Sequence, residues 1–285
     1  MHWRFLFVPF ISIVISQLAW AYIPPSRMIL GRVSENAGSG IYSIEQEVQI
    51  PLGAEPIYLK ETWLIENERN LRLTVNGTKD LKELIHLQFI YVGGQKWQLK
   101  NGRKESTKIS EDFVEKYFHF RNAENLIGSL QSLKILPVPL TTRKAPVKKG
   151  EEFKYEPESF VRLTRTEGSV SYAFGQPSAV EQKELNPGFW VEQDQFIIRK
   201  IRFPSQAEVT AENYTPFARG LNLPKLRTIQ WNQNTVTIRL LNVSGKVAKS
   251  GQLFQPNTLD VPYTIKPLPD ASAQTLIEEF YSRFR

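Results

Sequence analysis

The sequence predicts a mainly β, α+β fold built on an antiparallel sheet with one apolar face. Three observations carry this expectation: strand-like alternation in consecutive segments, short breaks between them, and amphipathic helical stripes beside the strand runs. From Ile41 to Asn76 three segments alternate. Tyr42, Ile44, Val48 and Ile50 share one face, with Ser43, Glu45, Glu47 and Gln49 on the other. Ile57, Leu59, Trp63 and Ile65 share a face in the second segment, and Leu71, Leu73 and Val75 in the third, opposite Arg72 and Thr74. Successive strand side chains point to opposite faces, so a period of two marks a sheet with one apolar and one wet side. Pro51, Gly53 and Pro56 break the first segment from the second, and Asn67 and Asn70 flank the next break. Breaks this short join antiparallel neighbours. The apolar face must then be covered, curl around itself or hold a ligand.

The start of the chain has a different purpose. Arg4, the apolar run from Phe5 to Ile15 and Ala19-Trp20-Ala21 read as a secretory signal peptide cut after Ala21. An uncleaved anchor is the competing reading, but the apolar run is short for a bilayer. Tyr22 to Arg285 is then expected to form a single exported domain, soluble and periplasmic, held by its core because the chain has no cysteine. The formal charge of +7, which becomes +6 when Arg4 leaves with the leader, favours contact with anionic lipid head groups, acidic glycans or nucleic acid. It serves equally to keep the surface soluble. Nucleic acid is not expected as a partner of an exported chain.

Pro24 and Pro25 open a helical stripe of Ile29, Leu30 and Val33, which Gly38-Ser39-Gly40 should stop. Beyond the three strands, Leu84 to Val92 and Lys96 to Lys100 read as strands turning at Gly93-Gly94, and Asn101-Gly102 turns into a further short strand ending near Ile109. A helical insertion is expected over about 110–134. Ser110 would cap a helix striped by Phe113, Val114, Tyr117 and Phe118, and Asn122 a second striped by Leu126, Ile127, Leu130 and Leu133. Residues 141–158 read as a surface loop. Strands are expected at 160–163, 170–174, 189–191, 196–203, 226–231 and 235–243, with an extended stretch over 255–270. Ser272 would cap a last helix with Leu276, Ile277, Phe280, Tyr281 and Phe284 on one side.

Catalytic chemistry is sparse. His86 and His119 are the only histidines beyond the leader, far apart and without cysteine, so no metal site is expected. No G-x-S-x-G, P-loop or dinucleotide fingerprint occurs. Glu192 with Asp194 reads as a turn, and Glu278 with Glu279 as a solvated helix face. No cofactor and no catalytic residue is assigned, and the chain is not expected to be an enzyme; a hydrolase is the weakest reading.

The order of elements and two local stretches carry a resemblance. Arg32-Val33 leads through to Tyr42-Ser43-Ile44-Glu45-Gln46-Glu47-Val48, a helix followed by a strand. Gly188 to Arg199 holds an aromatic-plus-valine strand, an acidic turn and a returning strand. Together they resemble the periplasmic outer-membrane lipoprotein carriers, the LolA-like family. The resemblance implies a strongly curved antiparallel sheet forming an unclosed barrel, with helices covering its concave face and acyl chains held between. It implies a monomeric carrier of an acylated lipoprotein or lipid, with transient membrane contact or another envelope protein as further partners. The ligand-binding set would be Leu59, Trp63, Ile65, Leu71, Leu73, Phe113, Tyr117 and Phe118, around an apolar cavity. Lys60 and Arg72 are the candidates for the family's cavity arginine. An envelope sensor or structural interaction module, its cavity filled by its own side chains, is the alternative. An open apolar pocket favours the carrier, and a packed interior the module.

Overall fold

The structure is a computed structural model that describes residues 22–51, 55–144, 155–248, 251–268 and 270–285. The leader and most of the 141–158 loop lie outside the described residues. One open antiparallel sheet dominates. Its first half is a meander of β1 (Tyr42–Ile50), β2 (Ile57–Asn67), β3 (Asn70–Gly77), β4 (Ile85–Val92), β5 (Gln95–Lys100) and β6 (Arg103–Lys108). Its second half runs through β7 (Val161–Thr166), β8 (Ser169–Phe174), β9 (Gly188–Glu192), β10 (Ile198–Arg202), β11 (Glu208–Pro216), β12 (Asn222–Trp231) and β13 (Asn234–Ser244). The halves join where β1 pairs β13, and β6 and β7 are left at the two ends, so the barrel does not close. The two-residue strand β14 (Thr264–Ile265) adds to β4.

The turns follow their residues. Gly93 and Gly94 have φ of 61° and 75°, and Asn101 and Gly102 have 50° and 73°. Positive φ at both central positions makes the twist of a two-residue turn match that of its strands, which glycine and asparagine tolerate. Alternation decides the faces. In β1 buried and half-buried residues alternate without exception, and Leu59, Trp63, Ile65, Leu71, Leu73 and Val75 are fully buried on the same concave side.

Three helices complete the fold. In α1 (Ser26–Glu35) Ile29, Leu30 and Val33 are buried. In α2 (Ala123–Ser132) the Asn122 side chain accepts from the amides of Glu124 and Asn125, satisfying donors that the first turn leaves free. α3 is Ala271–Arg283, and its cap is Asp270, two residues earlier than the expected Ser272. The carboxylate of Asp270 accepts from the amides of Ser272 and Ala273 and from the Ser272 hydroxyl.

Three further expectations are corrected. The helix expected from Ser110 is only a 3-10 turn, Glu115–Phe118, because its apolar residues do not form one stripe but point to different walls. α1 ends at Glu35 with Asn36 as its cap, before the glycines, and Gly38 serves a close approach to Tyr42 and Leu221. β11 was not expected: its pattern is broken by Glu212 and by Asn213, which has a φ of 55°.

Trp63 is fully buried between its cross-strand partners Ile44 and Leu73. Trp63→Asp should lower stability by several kcal/mol, the order of an unpaired buried charge. Chemical denaturation checks this, and an unchanged midpoint would place Trp63 on the outer face.

Candidate ligand-binding groove

The concave face is a wall of apolar strand residues. Trp63 pairs with Leu73, Ile65 with Leu71, Leu73 with Phe89, and Leu71 with Tyr91, so three strands present one continuous surface. Two segments of the chain lie on it. One is the stretch from Asp112 to Phe120, with α2 behind it. The other is α3 with Phe284 and Arg285. Phe113 stacks on Tyr91 at 4.6 Å between ring centroids and meets Trp63 at 6.4 Å. Tyr281 stacks on Phe89 at 6.4 Å, and Phe284 lies 4.7 Å from Trp231. Tyr117 packs toward Phe203 at 5.7 Å, and Phe118 lies under the Arg227 guanidinium.

The eight sequence-nominated residues are therefore gathered into one interior, all of them buried. Phe113 meets the Trp63 side directly, whereas Tyr117 and Phe118 face the second half of the sheet. This interior is packed. Openings border it among the described residues: a cavity of about 20 Å³ beside Tyr117, Phe118 and α1, a rim cleft of about 540 Å³ that reaches Phe113 between α2 and the end of β6, and a cleft of about 390 Å³ at Phe89, Lys96 and Tyr281.

Charge is buried in the same place, and sequence reasoning did not nominate it. Gln46, Glu61 and Arg227 occupy positions where the alternation of β1, β2 and β12 points inward. Glu61 accepts from Gln46 Nε2 at 2.9 Å, Trp63 Nε1 at 3.1 Å and Arg285 Nε at 3.0 Å. Arg227 donates to Glu115 at 2.9 Å and to the Gln46 amide oxygen. Glu115 also meets His119 Nε2 at 3.2 Å and Arg285 Nη1 at 3.8 Å. Burial works to raise the Glu115 carboxyl, but Arg227, the His119 hydrogen bond and Arg285 outweigh it and hold it far below the usual carboxylate range. Burial lowers His119 against the pull of Glu115, keeping the ring neutral. The two covers are also tied to each other: Arg283 Nε donates to Asp112 at 2.5 Å, and Val114 N to Phe284 O at 3.4 Å.

Lys96 closes the far end. Its buried ammonium donates to the carbonyls of Tyr281 and, at 2.7 Å, Arg285, and sits 4.0 Å over the Phe89 ring. Burial first, and then Arg285, bring its pKa down to about 7.

Neither nominated cation enters the groove. Lys60 lies on the outer face and pairs with Glu45 at 3.1 Å. Arg72, also outside, clamps the 253–260 stretch by donating to Thr258 Oγ1 at 3.0 Å and Thr258 O at 3.1 Å. Gln88 Oε1 helps by accepting from Asp260 N and Val261 N. The interior guanidiniums are Arg227 and Arg285.

No protein-family profile matches the chain, and no curated protein sequence matches it. Solved structures do. A LolA superfamily protein from Nitrosomonas europaea superposes with a TM-score of 0.52 over 83% of this chain and 100% of its own, at 9% identity. The fold is LolA-like. A DUF1329 family protein from Desulfovibrio piger superposes with a TM-score of 0.50 over 82% of this chain and 97% of its own, at 10% identity. The LolA-like fold thus extends over most of this chain.

Two outcomes test this electrostatic layout. Glu115→Gln should cost about 3–5 kcal/mol, because it leaves two buried guanidiniums short of an anion. A loss below about 1 kcal/mol in urea denaturation would mean the pairs are hydrated. Lys96 binds its proton less well folded than unfolded, so between about pH 7 and its ordinary value of 10.5 the unfolded state holds more protons. Stability should therefore rise with pH from 7 to 9, and Lys96→Met should flatten that rise. Melting temperatures at the two pH values decide it.

Proposed function

We propose that the protein is an exported, periplasmic binding or carrier protein for an acylated ligand, a lipid or lipoprotein, and that this structure is its closed form. One observation carries the reading. On a LolA-like fold, a largely apolar wall is covered by a stretch with a single 3-10 turn and by one helix, which a few buried ion pairs hold in place. A cover of this kind can be exchanged for ligand contacts more readily than a second sheet, because it breaks no strand pairing. Each ligand CH₂ buried against the wall contributes about 0.8 kcal/mol, so binding needs no catalytic group.

Leu59, Trp63, Ile65, Leu71 and Leu73 would line the acyl site, with Phe113, Tyr117 and Phe118 as the cover. The basic surface of the whole chain suits brief contact with anionic membranes during loading. A monomer suffices, since both walls and covers come from one chain.

A second reading rests on a specific observation as well. The interior is packed, as expected of an envelope interaction module that carries no ligand.

The double variant Phe113→Ala and Phe118→Ala separates the two. In a carrier it should weaken binding of a fluorescent fatty acid while the strands keep their cooperative unfolding. In a packed module each truncation costs about 3–5 kcal/mol, and the pair should collapse the fold with no acyl binding in the parent protein.

A further inference from the structure

Four stretches of chain meet at the rim where β1 begins: the 38–42 loop, the turn Ala218–Gly220, the residues just beyond β13, and Arg121. The Tyr42 ring is their common centre. It is buried, and its hydroxyl accepts from Ser39 N at 3.1 Å and donates to Ala218 O at 3.0 Å. Two guanidiniums lie against this one ring, with Cζ 4.9 Å from its centroid for Arg219 and 6.0 Å for Arg121. Both reach the same piece of backbone. Arg121 Nη2 donates to Gly40 O at 2.6 Å, and Arg219 Nη2 to Ile41 O at 2.9 Å and to Gly245 O.

The backbone makes room for the pair. A Cβ at Gly40 or Gly245 would fall on the Arg219 guanidinium. Arg219 itself is held at a φ of 60°, a left-handed conformation that is unfavourable for a residue with a side chain. Among the described residues no carboxylate forms an ion pair with either arginine. Glu66 and Glu68 attract Arg121 but are engaged elsewhere, Glu66 by Asn70 Nδ2 at 2.9 Å and Glu68 by Asn125 Nδ2 at 2.8 Å. Arg121 Nε is buried without a hydrogen-bond partner. Burial first, and among the charges Arg219, lower the Arg121 pKa against Tyr42, Glu66 and Glu68.

The count of donors selects a ligand. The carbonyl ties use Nη2 of each arginine, which leaves Nε and Nη1 of both. One guanidinium fork saturates the two oxygens of a carboxylate, whereas a phosphate has oxygens for two forks. We propose that Arg121 and Arg219 form a binding site for a phosphate group, carried by a lipid head group or by a soluble phosphate ester. The site lies at the end of the wall, where Tyr42 pairs with Ile65 and Ile65 with Leu71. It does not depend on acyl binding, because a phosphate that enters it needs no tail.

The test titrates the intact protein with glycerol 3-phosphate, followed by phosphorus NMR, with acetate as the planar comparison. The parent should bind glycerol 3-phosphate, and Arg121→Gln and Arg219→Gln should each weaken it at least about tenfold. Arg121→Lys and Arg219→Lys keep the charges but lose the forks, and they too should bind several-fold more weakly while melting as the parent does. A control with Lys82→Gln and Arg103→Gln removes two exposed charges elsewhere and should bind like the parent. Equal binding by the parent and the arginine variants, an equal loss in the control, or acetate bound as tightly as glycerol 3-phosphate overturns the site. Vesicles of phosphatidylglycerol identify the source. Capture that falls in Arg121→Gln and Arg219→Gln but not in the control makes the ligand a lipid head group. Capture that ignores the two arginines, while glycerol 3-phosphate still depends on them, makes it a soluble phosphate ester. Dependence on the two arginines with neither probe overturns the proposal.

Discussion

A long open sheet with one largely apolar face sets the constraint from which the other features follow. The face is built by alternation in eight or so residues of β2 to β4 and continued through β1, β13 and β12. Apolar surface left in water costs about 25 cal/mol per Å², so the face cannot stay bare. It is too curved and too wide for one helix. Two pieces of the chain share the work, one inserted between the halves of the sheet and one delivered by a path over the outer side. The position of Arg72 follows from this: it holds the strap that brings α3 to the open end of the groove.

Ion pairs inside an apolar groove are a poor way to gain stability. Desolvating each charge costs several kcal/mol, and the mutual attraction repays it only when every lone pair and proton is engaged. Glu61 and Glu115 come close to that condition, with three partners each. What such pairs provide is register. They fix the 3-10 turn and the end of α3 at one place on the wall, whereas sliding apolar contacts would accept several. The same pairs let a cover detach as a unit, since the strand-borne partners remain engaged with one another.

Much of the sheet could be read from the sequence, because a period of two over Tyr42–Ile50, Leu59–Ile65 and Leu71–Val75 leaves little choice of face. The Gly-Gly and Asn-Gly turns were equally legible. The groove residues were legible as apolar positions, but their partners were not. Gln46, Glu61 and Arg227 interrupt otherwise apolar inward faces, and a polar residue at an inward position is the signal that would have located the buried network. Glu115 and Arg285 carried no such signal, since a short 3-10 turn and a residue just beyond a helix have no period to interrupt. Arg72 and Lys60 were drawn to the groove by resemblance alone, although alternation opposite Leu71, Leu73 and Leu59 already put them outside. β11 stayed hidden because Asn213 and Glu212 break the pattern that would have announced it.

The central claim is that the concave face is an acyl site which the chain itself occupies when no ligand is present. Paramagnetic broadening by a nitroxide-labelled stearic acid tests it most directly, read on the methyl resonances of the intact protein. The account predicts distance-dependent broadening at Leu59, Ile65, Leu71 and Leu73 on the inner wall, with outward Leu64 and Leu241 spared. Broadening confined to outer-face methyl groups, or none at all, would contradict it.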